Sequence, residues 1–188
     1  MPVLADEQRV GNLIDALAER IAEEIARSNG DHNWALVGIK SRGDILAQRL
    51  AKRLNPQAIE GRVGSLDITL YRDDLSEIGP QPIVRTTEIP FPIDRLNVVL
   101  VDDVLMTGRS VRAALSCLLD MGRARRIWLS VLVDRGGREV PIAADHVALD
   151  LKSMRSNLAE TDRVHVRLKP TDASDAIEVE PAEGGPNP

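Results

Sequence analysis

Aromatic residues are almost missing from this chain: two tryptophans, one tyrosine and one phenylalanine in 188 residues. A core must therefore be built from Leu, Ile, Val and Ala, which hydrophobic content of 43% allows. Cysteine is present once, as Cys117, so no intrachain disulfide can form. Its place in an apolar, helix-patterned run reads as a buried core thiol rather than a catalytic one. No apolar run approaches the length that crosses a bilayer. The opening residues lack the basic and apolar blocks of a secretory signal, so the expectation is a cytoplasmic protein with no membrane contact. An excess of positive charge is missing too. The net charge of −5 argues against general electrostatic binding of nucleic acid, leaving only a local basic patch for that role. The length suits one domain with a proper core.

The most informative stretch runs from Leu96 to Ser110. Its apolar residues end in Asp102-Asp103; Thr107-Gly108-Arg109-Ser110 follows, and a helical pattern then begins. This reads as a buried parallel strand, a short loop and a helix N-terminus. Such a loop can hold a phosphate on backbone N–H groups and the positive end of the helix dipole. Gly108 lets the backbone come close, and Thr107 and Ser110 add hydroxyls. Two carboxylates beside a phosphate cradle suit a sugar phosphate, whose vicinal hydroxyls bond strongly to charged acceptors. The plainer alternative is a pair of strand-end acids that cap a helix.

A second unit of the same kind precedes it. Trp34–Ile39 is a short apolar strand, Lys40-Ser41-Arg42-Gly43 a cationic loop, and Asp44 to Leu54 a helix ended by Asn55-Pro56. The loop is either an ordinary βα turn or an anion site placed near the first. Upstream, Asp6 to Ser28 reads as an amphipathic helix with Leu13, Ile14, Leu17, Ile21 and Ile25 on its apolar face, stopped at Asn29-Gly30. Glu19, Glu23 and Glu24 occupy the other face. Ser65 to Tyr71 alternates and predicts a strand. From Asp73 to Pro92 periodicity is lost and four prolines occur; so long a loop is either an active-site lid or a solvated tip.

Gly108 to Met121 reads as a helix with Val111, Ala114, Leu115, Leu118 and Leu119 inward and Gly122 as its C′ residue. Arg126 to Val133 predicts another core strand ending in Asp134-Arg135. Asp145–Asp150, Arg163–Leu168 and Ala176–Val179 read as short strands, the last two as a pair. His146 and His165 have no metal-like partners in sequence and are read as structural. Alternating strands and helices imply an α/β fold with a mainly parallel central sheet. One domain over residues 1–180 is expected, with a disordered tail at 181–188.

The apolar strand, Asp102-Asp103 and Thr107-Gly108 together resemble the signature of the phosphoribosyltransferases that use phosphoribosyl pyrophosphate. Three further stretches sharpen the match: Gly38–Gly43, Leu66–Leu75, and Val131–Gly136. With these, the chain resembles the PyrR family, pyrimidine-operon attenuation regulators that also carry uracil phosphoribosyltransferase activity. The resemblance runs from about Leu13 to Asp145. It implies a type I phosphoribosyltransferase-like fold with a small hood and a lid at about 72–92. It implies transfer of ribose 5-phosphate to a pyrimidine base, with UMP and pyrophosphate as products, and a homodimer or higher oligomer. Pyrimidine-operon leader RNA is the implied partner of the alternative, regulatory reading.

On that resemblance Asp102 and Asp103 would hold the ribose hydroxyls. Val104, Leu105, Met106, Thr107, Gly108, Arg109 and Ser110 would form the 5′-phosphate site. Lys40, Ser41, Arg42 and Gly43 would take the pyrophosphate together with Mg²⁺, held mainly through the substrate with Asp102 or Asp103 as candidate protein ligands. Arg72, at the start of the lid, could close over the leaving group. Asp134, Arg135 and the segment from Asp145 to Ser153 would read the base.

The chain departs from the family in four places. Met106 stands where an aromatic is usual, and Ser110 where Thr is usual. Gly137 and Ala143 replace a His and an Arg of the family motif. His146 to Met154 replaces the family's Tyr-Val-Gly-Lys-Asn-Ile-Pro-Thr-Ser. Glu19, Glu23 and Glu24 make the first helix acidic where an RNA surface needs donors and cations.

Overall fold

The computed structural model describes residues 1–28, 33–73, 86–152, 159 and 162–181. The stop expected at Asn29-Gly30, the middle of the expected lid, Ser153 of the expected base segment and the tail beyond 181 lie outside these residues.

Five parallel strands form the central sheet: β2 (Trp34–Ile39), β3 (Val63–Leu66), β4 (Asn97–Leu105), β5 (Arg126–Asp134) and β6 (His146–Asp150), in the order β3-β2-β4-β5-β6. Helices α1 (Glu7–Arg27) and α2 (Gly43–Ala51) cover one face, and α4 (Arg109–Met121) covers the other. A separate antiparallel hood joins β1 (Val3–Ala5), β8 (Ala176–Glu180) and β7 (Arg163–Arg167) in that order. Among the described residues no helix is long and apolar enough to cross a membrane.

Strand alternation assigns the two cores. Val99 and Val101 of β4 pack with Ile14, Leu17 and Ile21 of α1 and with Leu46 and Leu50 of α2. Val98 and Leu100 face the opposite way, onto Val111, Ala114, Cys117 and Leu118 of α4. The hood belongs to the first core, through Val166, Leu168 and Ile177. Trp34 and Trp128, on β2 and β5, pack with ring centroids 4.6 Å apart. Cys117 is buried, as its apolar setting implied.

The N-cap of α1 is Asp6, whose carboxylate accepts from Arg9 N at 2.9 Å, and Ser28 is its C-cap. His146 and His165 are structural: His146 Nδ1 lies 2.9 Å from Ser130 Oγ, and His165 pairs with Glu180 across the hood.

Several boundaries differ from the sequence reading. The strand expected over Ser65–Tyr71 stops at Leu66, and Thr69–Tyr71 is a 3-10 turn. The Asp67 carboxylate accepts from both N and Oγ1 of Thr69, a local turn that outcompetes the alternating pattern. The second helix ends at Ala51, and Asn55 caps a further short helix, α3 (Pro56–Ile59). Leu119, expected inward on α4, is 63% exposed, while Ala113 and Cys117 take the buried face. Strand β1 carried no sequence signal; three residues are too few for periodicity, and its pairing with β8 is entirely non-local.

Candidate active site

All five central strands run parallel, so their carboxyl ends share one edge, where open α/β sheets place ligands. The loops after β2, β4 and β5 gather there, with the 3-10 turn after β3 beside them.

The acids sit in the centre. β4 runs on past both of them to Leu105. Asp102 is 5% exposed and Asp103 half-buried. Next to one another on β4, the two carboxyls act on each other. Asp102 Oδ1 accepts from Asp103 N at 3.0 Å, and Asp103 Oδ1 accepts from Val104 N at 3.0 Å. Burial, reinforced by the neighbouring acid, pushes Asp102 well above the usual carboxylate range; burial also raises Asp103, against the pull of Arg42.

The loop after β2 is pressed against β4. A Cβ on Gly43 would stand 2.6 Å from the carbonyl oxygen of Val101, and one on Gly38 would stand 2.5 Å from Asp44 Cα. Only glycine permits this approach, which brings the start of α2 up to the two acids. Lys40 and Ser41 are joined by a cis peptide, and Arg42 has φ +73°. The Arg42 guanidinium does not project freely: it donates Nε and Nη2 to the two oxygens of Asp172, 3.0 Å each. Lys40 Nζ donates to Thr86 O at 2.8 Å, joining this loop to the stretch that leads to β4.

The loop after β4 turns through Met106 and Thr107 into Gly108, which has φ +88° and is the N-cap of α4. Thr107 Oγ1 accepts from Arg109 N at 3.3 Å. The first N–H groups of α4 lie beyond the helix ladder and form a ready anion cradle. Ser110 is half-buried in that first turn. The Arg109 side chain is engaged by Glu139 at 2.5 Å and Asp73 at 2.7 Å. Asp73 is also 3.5 Å from Arg112, so the chain just after the 3-10 turn is tied to α4. Arg72 caps the 3-10 turn beside α4, half-buried, where Tyr71 O accepts from Arg112 Nη2 at 3.0 Å.

Asp134 and Arg135, expected at the base, organise their own loop. Asp134 accepts from Gly136 N at 2.9 Å and from Arg138 Nη2 at 2.6 Å. Arg135 is buried and donates to the carbonyls of Ala159 and Asp162. Gly137, which replaces the family's His, has φ +76°, a conformation favouring glycine. Asp150 is in register with Asp134 at the ligand edge, whereas His146 pairs with Ser130, about 13 Å back along the strand. Asp145, whose carboxylate accepts from Leu129 N, lies at that far end as well. Within the expected base segment only Asp150–Lys152, among the described residues, reach the site.

Two contributors escaped the sequence reading. Asp172 holds Arg42 from a position 130 residues away. Arg138 donates to Asp134 Oδ2 and to the carbonyls of Leu105, Met106 and Ile142, joining the loops after β4 and β5. Asp172 has no local pattern that would flag it; Arg138 stands in the motif that begins at Asp134, four residues on, but its reach to the loop after β4 is non-local.

The model of the phosphoribosyl transferase domain matches residues 6–165. The bifunctional protein PyrR of Deinococcus deserti is 51% identical over 162 residues, covering 85% of this chain and 86% of that one. The bifunctional protein PyrR of Thermus thermophilus is 51% identical over 169 residues, covering 88% and 90%. Among solved structures, the hypoxanthine phosphoribosyltransferase of Trypanosoma cruzi shares the fold, with a TM-score of 0.67 at 19% identity over 95% of each chain. With half of its residues shared over most of its length, the chain belongs to the PyrR family of phosphoribosyltransferases.

Proposed function

We propose that this protein is a uracil phosphoribosyltransferase, moving ribose 5-phosphate from phosphoribosyl pyrophosphate to uracil and releasing pyrophosphate and UMP. One observation carries the reading: two adjacent carboxylates, Asp102 buried and Asp103 half-buried, lie between a glycine-opened loop at the start of α2 and the helix N-terminus of α4.

In the reaction the base nitrogen bonds to C1 of the ribose as the C1–oxygen bond breaks. The electron pair leaves with pyrophosphate, whose freed oxygen takes up the N–H proton that the base gives up. No enzyme nucleophile is needed; positioning and electrostatics do the work. Asp102 and Asp103 accept hydrogen bonds from the ribose hydroxyls and favour positive charge on the sugar. The backbone from Met106 to Ser110 holds the 5′-phosphate. Lys40 to Gly43 receives the pyrophosphate, and Arg72 with the lid excludes water, a competing nucleophile. The end of β5 and Asp150–Lys152 offer backbone groups to the base edge.

The residues present fit Mg²⁺. Carboxylate oxygens of Asp102 and Asp103 are the hard donors it takes, and no group of three or more potential ligands occurs among the described residues, so the substrate's phosphates would hold it chiefly. When bound, it neutralises charge on the pyrophosphate. Purified protein given phosphoribosyl pyrophosphate, Mg²⁺ and each nucleobase in turn should release pyrophosphate with uracil. Tight binding of phosphoribosyl pyrophosphate with no turnover on any base would defeat the proposal.

A second, regulatory activity on pyrimidine-operon leader RNA draws support from one surface. Arg95, Arg123, Arg125 and Arg126 are exposed together at the amino edge of the sheet, with Arg126 lying 4.5 Å over the Trp128 ring. This patch stands out against the acidic whole. Binding to leader RNA should fall steeply with salt, and equal, feeble affinity for a scrambled RNA would remove the reading. Self-association draws support from Leu119 and Met121, exposed on α4; light scattering would test it.

A further inference from the structure

The loop joining β7 to β8 carries Asp172 and Asp175, and each grips an arginine of the α2 unit. Arg42 donates Nε and Nη2 to Asp172, 3.0 Å each. Arg49 donates to both oxygens of Asp175, with Nη2 2.9 Å from Oδ1, and to Lys169 O. Both carboxylates are themselves anchored, Asp172 by Leu168 N and Asp175 by Lys169 N, 2.8 Å each. The hood is thus clamped to α2 by two forked ion pairs.

The pairs differ in what they hold. Arg49 lies within α2, where the helix ladder already fixes the backbone. Arg42 is the residue before the helix, in the loop itself, at φ +73° with no side-chain cap. A non-glycine residue stays in that region only when its surroundings hold it there. The two-point grip on its guanidinium supplies that hold, since a planar fork bonded twice cannot swivel.

We propose that Asp172 is a positioning residue for the pyrophosphate end of the reaction. By gripping Arg42 it keeps the Lys40–Gly43 loop in the shape that receives the leaving group, although Asp172 itself touches no substrate. The hood, remote in sequence, thereby becomes part of the phosphoribosyl pyrophosphate site. The inference rests on the transferase reading above.

Asp175 is the control, because it clamps the same loop with the same chemistry but away from the site. Calorimetric titration of phosphoribosyl pyrophosphate and of pyrophosphate, each with Mg²⁺, is compared for wild type, D172N and D175N. D172N should weaken both ligands about tenfold, the loss of one charge-assisted grip. Its KM for phosphoribosyl pyrophosphate should rise more than kcat falls, and KM for uracil should hold. D175N should lower Tm yet keep both affinities within about twofold. Because Asp172 acts through Arg42, D172N added to R42M should cost nothing further. Unchanged or tighter binding in D172N, an equal loss in D175N, or an additive loss in the double variant would overturn the proposal. D172E keeps the charge but displaces the guanidinium, and gives the same comparison should D172N not fold. A wild type that binds phosphoribosyl pyrophosphate but turns over no base fails the transferase reading alone, since the binding comparison needs no base.

Discussion

Asp102 accepts a hydrogen bond from the backbone N–H of Asp103, 3.0 Å away, so the two acids are linked inside a largely apolar strand. That link offsets little of the cost of burying Asp102 beside a half-buried second acid. The same burial that readies them for a ribose makes them a burden on the fold.

Asp102→Asn should therefore cut turnover and raise stability together. Asp102 titrates high in the fold. Below the unfolded pKa of about 3.9 both states are protonated and no penalty exists. As pH rises beyond it, ionisation favours the unfolded chain, and stability falls until the folded pKa is passed. At pH 7 the amide avoids this, with Tm rising roughly 2–4 °C per kcal/mol recovered. Transition-state stabilisation should drop by about 2–4 kcal/mol for this variant and for Asp103→Asn. Kinetics beside a melting curve at pH 7 and pH 4 test both halves; wild-type turnover would reduce the acids to structural caps.

Gly43→Ala should cost about 1–3 kcal/mol, because the added methyl meets the Val101 carbonyl at 2.6 Å, backbone that cannot step aside. Gly11→Ala is the contrasting case. Gly11 lies within α1 with nothing within 4 Å of the new methyl, and the exchange should stabilise by about 0.5–1 kcal/mol. Chemical denaturation of the two variants should show opposite signs.

Arg138→Lys should behave nearly like Arg138→Met. The guanidinium bonds four oxygens across the β4 and β5 strand ends and the loops that follow them, and a single ammonium cannot reproduce that fork. A loss of about 2–4 kcal/mol is expected, since Asp134 and several carbonyls would be left short of donors. Urea titration measures it; a lysine variant as stable as wild type would show the fork to be dispensable.

His146 should make the protein acid-sensitive. Burial lowers its pKa, against the pull of Asp145, and its ring is 2.9 Å from Ser130 Oγ. A depressed histidine contributes stability above its unfolded pKa of about 6.5, lost as pH falls through the folded value. His146→Gln should flatten the fall in Tm below pH 6.5. An unchanged slope would place the acid sensitivity elsewhere.

The sequence by itself determined the layered α/β architecture. The apolar runs at Trp34–Ile39, Asn97–Val101 and Arg126–Val133 are strands because nothing but a doubly covered parallel sheet buries them. It also placed the three loops on one edge, since parallel strands leave no other arrangement for their carboxyl ends. Asp102-Asp103 and Thr107–Ser110 were legible for the same reason: their chemistry and spacing are local.

Only the tertiary structure decided which side chains stay free. Arg42, Arg109 and Arg135 read alike along the chain, as cations in polar loops. Their partners, Asp172, Glu139 and the carbonyls of Ala159 and Asp162, lie 130, 30 and up to 27 residues away. The strand expected through Tyr71 was lost to one carboxylate, Asp67, that bends the chain after Leu66. Strand β1 exists only because β8 offers it an edge. Periodicity records burial of a face over several residues. It holds no record of a single ion pair or of an edge formed by distant chain, and those contacts shape this site.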